Sequence, residues 1–304
     1  MVARTDLPFM MHTIPHLVRM CNFPFVQRVL FVDTAPLTGD KVGRPGIGTL
    51  EELRACCAQL LDAGVVDRIV DIDYTDENRR RLYAKHLGMP YIRPTHNYKG
   101  YPIFGTLFSL EEVPGDYVIH FDSDMMLYQE PGYSWIEAAI EVFNAYPHVM
   151  SVRPLAGPPH EQGPQQERNF SRHPDGLFYQ YKMFSSRAYI FDRKRFDQLL
   201  PVPVLWREYK TEWLNRLPTV AKTWLNYIRK QGMLGSWEIM VTRAIEHSEL
   251  VRANLCSPKA WTLHPRDRSP QFLQALPSIL ERVEKGQYPS EQAGYYDIKT
   301  EYWL

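Results

Sequence analysis

Asp122 and Asp124 stand one residue apart at the end of an apolar run, Tyr117 to Phe121, within the stretch "GDYVIHFDSDMMLY". Two like charges at the end of a strand repel each other unless a cation or hydrogen-bond donors offset the cost. A hard divalent ion is one such partner. Mg²⁺ and Mn²⁺ prefer oxygen ligands, and Mg²⁺ usually shares one or two protein carboxylates with substrate phosphates. The same tripeptide also serves as an acidic turn or a helix cap, so the pair alone does not choose between metal site and structure.

Other residues of the right chemistry follow. In "GSWEIMVTRAIEH", Gly235 and Ser236 suit a turn and N-cap, which puts Glu238 in the first turn of a helix. A carboxylate there can act as general base, and it is also favoured by the helix dipole with no catalytic duty. Trp237 beside it offers a face on which a sugar acceptor could stack. His264, in "AWTLHPRDR", offers a neutral imidazole that suits Mn²⁺ better than Mg²⁺, or a structural histidine; Arg266 and Arg268 offer diphosphate contacts or a solvated basic turn.

These groups need a scaffold, and the first half of the chain supplies one by alternating strand and helix. Residues 8–14 read as a buried first strand, with Pro15 opening a helix. "RVLFVD" (28–33) and "DRIVDIDY" (67–74) read as strands. Between them Thr49 and Glu52 have capping-box spacing, and Leu50, Leu53, Cys57, Leu60 and Leu61 share one helix face. "ENRRRLYAKHLG" reads as a helix closed by Gly88, and "YPIFGTLFSLEEV" as the helix before the acidic strand. Strands separated by helices imply a mainly parallel sheet covered on both faces, with ligands at the carboxyl ends of the strands. Asp33, Asp73 and Asp122 all fall at such ends. The Pro- and Gly-rich segment 154–182 reads as a long mobile loop fit to close over a ligand.

"GDYVIHFDSD" resembles the G-D-Y-hydrophobic-x-hydrophobic-x-D-x-D signature of GT-A glycosyltransferases, the large family two in particular. "RVLFVDTAP" resembles that family's second strand, and "HNYKG" (96–100) its N-x-G connection; the matches span about residues 10 to 128. The resemblance implies a GT-A (Rossmann-like) α/β domain spanning 1–304, with a nucleotide-sugar half (1–128) and an irregular acceptor half (129–304). It implies Asp124 on a Mn²⁺ or Mg²⁺ ion with His264 and Asp122, and Asp122 and Ser123 near ribose and phosphates. Asp33 and Thr13 would lie near the base, with Asp73 and Lys99 joining the donor site, and Glu238 would be the base of an inverting transfer, although the fold hosts retaining enzymes too. Two departures stand out. Thr106 occupies the place of a phosphate-contacting arginine, for which Lys99 or Arg93 would substitute, and Met125 replaces an aspartate after the pair.

Bulk properties narrow the function classes. Thirty-five basic residues against thirty-five acidic ones leave no formal net charge, which argues against a nucleic-acid binder. Cys21, Cys56, Cys57 and Cys256 lack metal-ligand spacing and read as reduced thiols. No apolar run approaches a membrane span, and the expected location is cytoplasmic. Residues 202–232 place Trp206, Trp213, Leu217, Val220, Trp224 and Ile228 at helical spacing among basic residues; core packing, an acceptor wall, a partner-binding hairpin and peripheral membrane contact all remain open. Two other functions are also carried forward: nucleotidyl transfer on a related α/β fold, against which the absence of an N-terminal Gly-rich phosphate loop counts, and a non-catalytic sugar-nucleotide-binding protein.

Overall fold

The computed structural model describes residues 1–304 and shows a mixed α/β protein. The chain opens with Ala3 N–H donating to the Asp6 carboxylate and then forms α1 (Met10–Cys21). Residues 8–14 are therefore not a strand. "PFMMHTIPHL" carries apolar residues at helical as well as strand spacing, and the helix wins by burying Met10, Ile14 and Leu17 on one side. Pro15 lies inside this helix and does not open it.

β1 (Val29–Val32) leads through α2 (Leu50–Asp62) to β2 (Arg68–Asp71), and the two strands pair in parallel, as a helical crossover requires. The expected capping box at α2 is present: Glu52 N–H donates to Thr49 Oγ1 (3.1 Å) and Thr49 N–H to Glu52 Oε2 (2.7 Å). Leu53, Cys57 and Leu60 are buried, whereas Leu61 is exposed. α3 (Asp76–Leu87) ends at Gly88, whose φ of 65° is the left-handed conformation that a glycine cap adopts without strain. α4 (Phe104–Glu112) then delivers the chain to β3 (Tyr117–Phe121).

The second half runs β4 (Met126–Gln129), α5 (Trp135–Ala145), β5 (Val149–Arg153), β6 (Leu155–Ala156), β7 (Phe170–Arg172), β8 (Phe178–Tyr181), β9 (Ala188–Asp192), α6 (Arg193–Asp197), α7 (Glu212–Asn215), α8 (Thr219–Arg229), α9 (Trp237–Glu246), β10 (Val251–Leu255), β11 (Ala260–Leu263) and α10 (Pro270–Glu284). The largest sheet has the order β3-β9-β5-β10-β8-β7, and only β5 and β10 in it are parallel. A second sheet, β4-β11-β6, is also mixed. A mainly parallel sheet is thus not what forms. The helical crossovers of the first half do give parallel pairing at β1 and β2, but β7, β8 and β9 follow one another without a helix and are free to pair antiparallel. β3, from the first half, is covered by β9 from the second, so the main sheet is built from both halves.

Segment 154–182 is not a free loop. It contributes β6, β7 and β8, and Glu167 anchors it: the carboxylate accepts from Asn254 Nδ2 (2.6 Å), Arg252 (3.2 Å) and Arg153 (3.4 Å). No helix is long and apolar enough to cross a membrane, and all four cysteines are free.

Candidate active site

The acidic pair sits in the turn that links β3 to β4. Asp122 N–H donates to Arg187 O (2.7 Å), and Met125 N–H donates back to Asp122 O (3.1 Å), closing the turn. α1 braces it from behind. Thr13 Oγ1 donates to the Ser123 carbonyl (2.5 Å), and Leu127 N–H donates to His16 Nε2 (3.1 Å). Thr13 and Ser123 are both buried, so the structure gives Thr13 the task of holding the turn, not of facing a ligand.

The two carboxylates differ. The Asp122 side chain is 45% exposed and hydrogen-bonds His120 Nε2 (3.0 Å). Removal from water pushes its carboxyl up, but His120, Arg187 and His264 outweigh that and hold it below the usual range. Asp124 is buried, at 8% side-chain exposure. Burial, reinforced by Asp122, pushes its carboxyl above the usual range despite the opposing charges of His264 and Arg268. Arg268 Nη2 donates to Asp124 Oδ2 at 2.5 Å, and its guanidinium carbon lies 4.5 Å from the centre of the Phe9 ring. A basic residue 144 positions downstream in sequence thus neutralises Asp124.

His264 forms the second node. Its Nε2 stands 4.0 Å from Asp124 Oδ2, and its ring stacks on Tyr296 at 5.9 Å between centroids. Two partners converge on Nδ1: Asp297 Oδ1 at 2.8 Å and Arg187 Nη1 at 2.5 Å. No single tautomer serves both. With the proton on Nδ1, His264 donates to Asp297 and turns an Nε2 lone pair toward Asp124; with Nδ1 bare it accepts from Arg187 and turns Nε2–H that way. Gln166 fixes Asp297, donating to Oδ2 (2.5 Å) while its own Oε1 accepts from Asp297 N–H (2.8 Å).

Glu238 lies on the same side of the molecule. Its Oε2 accepts from Ser186 N–H and Ser186 Oγ–H, both at 2.9 Å, and Ser186 precedes the Arg187 that touches His264. Ser236 is the N-cap of α9, although its side chain makes no capping bond. Trp237 does not face a ligand. It is 4% exposed and packs edge-on against Phe184 at 5.2 Å, so the sugar-stacking role is corrected to core packing: the first turn of α9 turns Trp237 inward.

The remaining donor-site candidates scatter. Asp33 is buried and accepts from Tyr74 Oη (2.7 Å), Ala35 N–H (3.1 Å) and His96 Nε2 (3.1 Å). Burial pushes its carboxyl up, but His96 and Tyr74 more than compensate and hold it below the usual range. Asp73 is exposed and spends both oxygens locally, on Thr75 N–H (3.0 Å) and Asn78 Nδ2 (2.5 Å), ahead of α3. Lys99 is exposed with its ammonium over the Tyr98 ring, 5.7 Å from the centroid, and contacts neither acid of the pair.

Arg187, Asp297 and Gln166 escaped the sequence reading. A trace of Arg187 was present in the polar start of the strand "FSSRAYIFD", but nothing in "GYYDIKTEYWL" marks Asp297, because its role arises only when the C-terminal segment folds back beside His264. As for a divalent ion, Asp122, Asp124 and His264 do not close into a three-ligand cluster. Asp124 and His264 offer the chemistry of two such ligands: a buried acid faces an imidazole whose far nitrogen is hydrogen-bonded to a carboxylate, an arrangement that orients metal-bound histidines. Arg268 is the counter-charge that Asp124 has in this structure. Comparison with protein-family models and with curated proteins found no match.

Proposed function

We propose that the chain is a GT-A-type glycosyltransferase that moves a sugar from a nucleoside-diphosphate donor to an acceptor hydroxyl, with inversion. The observation that carries this reading is the convergence, at the end of β3, of Asp122 and Asp124 with Arg187, His264, Arg268 and Asp297 from the far half of the chain. Carboxylates alone would repel a diphosphate; carboxylates interleaved with guanidinium groups and an imidazole make a site that binds a cation and an anion together.

Each residue has a part. Asp124 and His264 would hold Mn²⁺ or Mg²⁺, with phosphate oxygens and water supplying the other positions. When bound, the ion would stabilise the charge that develops on the departing diphosphate, an effect worth several kcal/mol. Arg268, which now pairs with Asp124, would be the group to meet phosphate, for which its planar fork is suited. Asp122, the exposed member of the pair, faces the donor ribose, and Asp33 marks the edge where the base lies. Glu238, held through one oxygen by Ser186, keeps the other free to take the acceptor proton.

Incubation with a panel of nucleotide sugars, followed by product analysis, tests this reading. Release of nucleoside diphosphate supports it; release of pyrophosphate would support nucleotidyl transfer instead, and binding without turnover a non-catalytic role.

The location of the acceptor is proposed from a different feature. On α8 the expected burial is inverted: Thr223 and Asn226 face inward, while Val220, Trp224 and Ile228 are exposed, as is Trp213 on α7. Core packing therefore does not explain these four, although Trp206 of the same stripe does pack against the core. With Lys222, Arg229 and Lys230 on the same helix and its end, they suit an anionic lipid surface, and the acceptor would then be presented at a membrane. Co-sedimentation with vesicles containing phosphatidylserine should be lost in Trp224→Glu and at high salt; equal binding to neutral vesicles would contradict the electrostatic part.

A further inference from the structure

A cavity of about 530 Å³ lies beside β3 and does not open in front of Asp122 and Asp124. Its two long walls are strands. β1 pairs with β2 along one edge and along its other edge meets only Val2; β3 pairs with β9 and is otherwise the terminal strand of its sheet. The floor and roof are apolar on both sides, with Leu17 and Val18 of α1, Ile136 and Ile140 of α5, and Leu110 and Val113 at the end of α4. Of the 30 lining residues 21 are hydrophobic, so this is an unfilled piece of core between two strand edges and not a polar ligand site.

The beginning of the chain already points into it. Val2 forms a parallel bridge with Val32: Val2 N–H donates to Phe31 O, and Asp33 N–H donates to Val2 O, both at 2.8 Å. Continued backward in the same register, the residue two places before Val2 would stand opposite Leu30 and the one four places before it opposite Arg28. Met1 itself lines the cavity. Burial lowers its amino group below the ordinary value although Asp122 and Asp6 pull the other way.

We propose that the slot seats a β-strand leading directly into Met1: an extended, uncharged, Val- and Ile-rich segment of about five residues, parallel to β1, that bridges β1 to β3. The chemistry of the occupant follows from the walls. A strand buried on both faces reads as a continuous apolar run instead of an alternating one, and five residues at about 3.3 Å each match the length of β1 and β3. Filling the slot would join the two-stranded and six-stranded sheets and fix the carboxyl ends of β1 and β3, hence Asp33 and Asp122, in one rigid rim. The proposal stands on the cavity and the backbone register and is independent of the reaction assigned above.

Two variants of the chain test it, one extended before Met1 by a five-residue Val/Ile segment and the other by a Gly/Ser segment of equal length. The apolar extension should slow amide exchange at least about tenfold in both 29–32 and 117–121 and raise the unfolding midpoint by on the order of 10 °C. The Gly/Ser extension should do neither. Equal behaviour of the two extensions, or protection of β1 without β3, would overturn the proposal. The chain of 304 residues supplies a second arm if the extended one fails to fold: its β1 and β3 amides should exchange much faster than those of β9 and β10, and equal protection would overturn the proposal. Protection of those strands that rises with protein concentration alongside dimer formation would assign the slot to a second copy and equally defeat it.

Discussion

Two clusters of buried charge lie close together in this fold and are built on opposite plans. Around Glu167, two guanidinium groups and an amide close on a single carboxylate, and Arg153 and Arg252 are 1% and 0% exposed. Burial pushes the Glu167 carboxyl up, yet Arg252 and Arg153 outweigh it and hold the acid below the usual range. At the end of β3 the two acids diverge: Asp124 is pushed up, whereas its neighbour Asp122, nearly half exposed, is held below the usual range. A carboxylate saturated with donors is structure. The acidic pair has one arginine on its buried member and leaves the other half exposed, and that difference is the basis of the proposed reactive site.

The contrast can be broken at several points. Glu167→Gln leaves two buried guanidinium groups without their carboxylate and should cost about 3–5 kcal/mol of stability in urea unfolding; a loss under about 1 kcal/mol would remove the anchor from the account. Asp124→Asn should reduce sugar transfer by about 10²- to 10³-fold with the circular dichroism spectrum unchanged. If transfer survives in that variant, the cation-binding role is wrong.

A third cluster lies between the two extremes. Glu111 accepts from His86 Nε2 (2.9 Å) and Lys85 Nζ (2.6 Å), and the His86 hydrogen bond, opposed by burial and aided by Lys85, holds its carboxyl at about 2. A depressed acid stabilises the fold above its unfolded value near 4.5 and loses that contribution as pH falls toward about 2. Glu111→Gln should therefore cost about 1–3 kcal/mol at pH 7, and the gap to the parent protein should close through that window. A gap that persists unchanged at pH 2 would show the effect to be packing. Smallest of all, Asp73→Asn should leave both stability and donor binding unchanged, because Asn can still accept from Thr75 N–H; weakened nucleotide binding would restore Asp73 to the site.

Much of the first half was legible in the sequence because its signals are local. The capping box at Thr49 and Glu52, Gly88 closing α3, and the apolar runs of β1 and β3 each act within a few residues. The first segment misled because "PFMMHTI" fits both periods, and only burial against β4 and α2 decides for helix. The mainly parallel sheet expected from the first half's alternation does not form, because strands of the second half pair with β3 and with one another by which edges are free and not by local pattern. Within the site, Asp122, Asp124, Glu238 and His264 were visible as chemistry-bearing types in suggestive places. Arg268 reads as a diphosphate contact or as part of a solvated basic turn, but its ion pair with Asp124, like the Asp297 brace on His264, depends on chain segments far apart in sequence. Trp237 was read outward because adjacency to Glu238 says nothing about which way a first helical turn faces.

The central claim is that Asp124 and its partners form a cation-dependent seat for a nucleoside diphosphate. Thermal unfolding of the parent protein and of Asp124→Asn, each with nucleoside diphosphates and with or without Mn²⁺, addresses it directly, since a ligand bound only by the folded state raises the midpoint. The account predicts a rise with one nucleotide in the parent protein, only when Mn²⁺ is present, and none in the variant. An equal rise in both proteins, or none with any nucleotide, would contradict it.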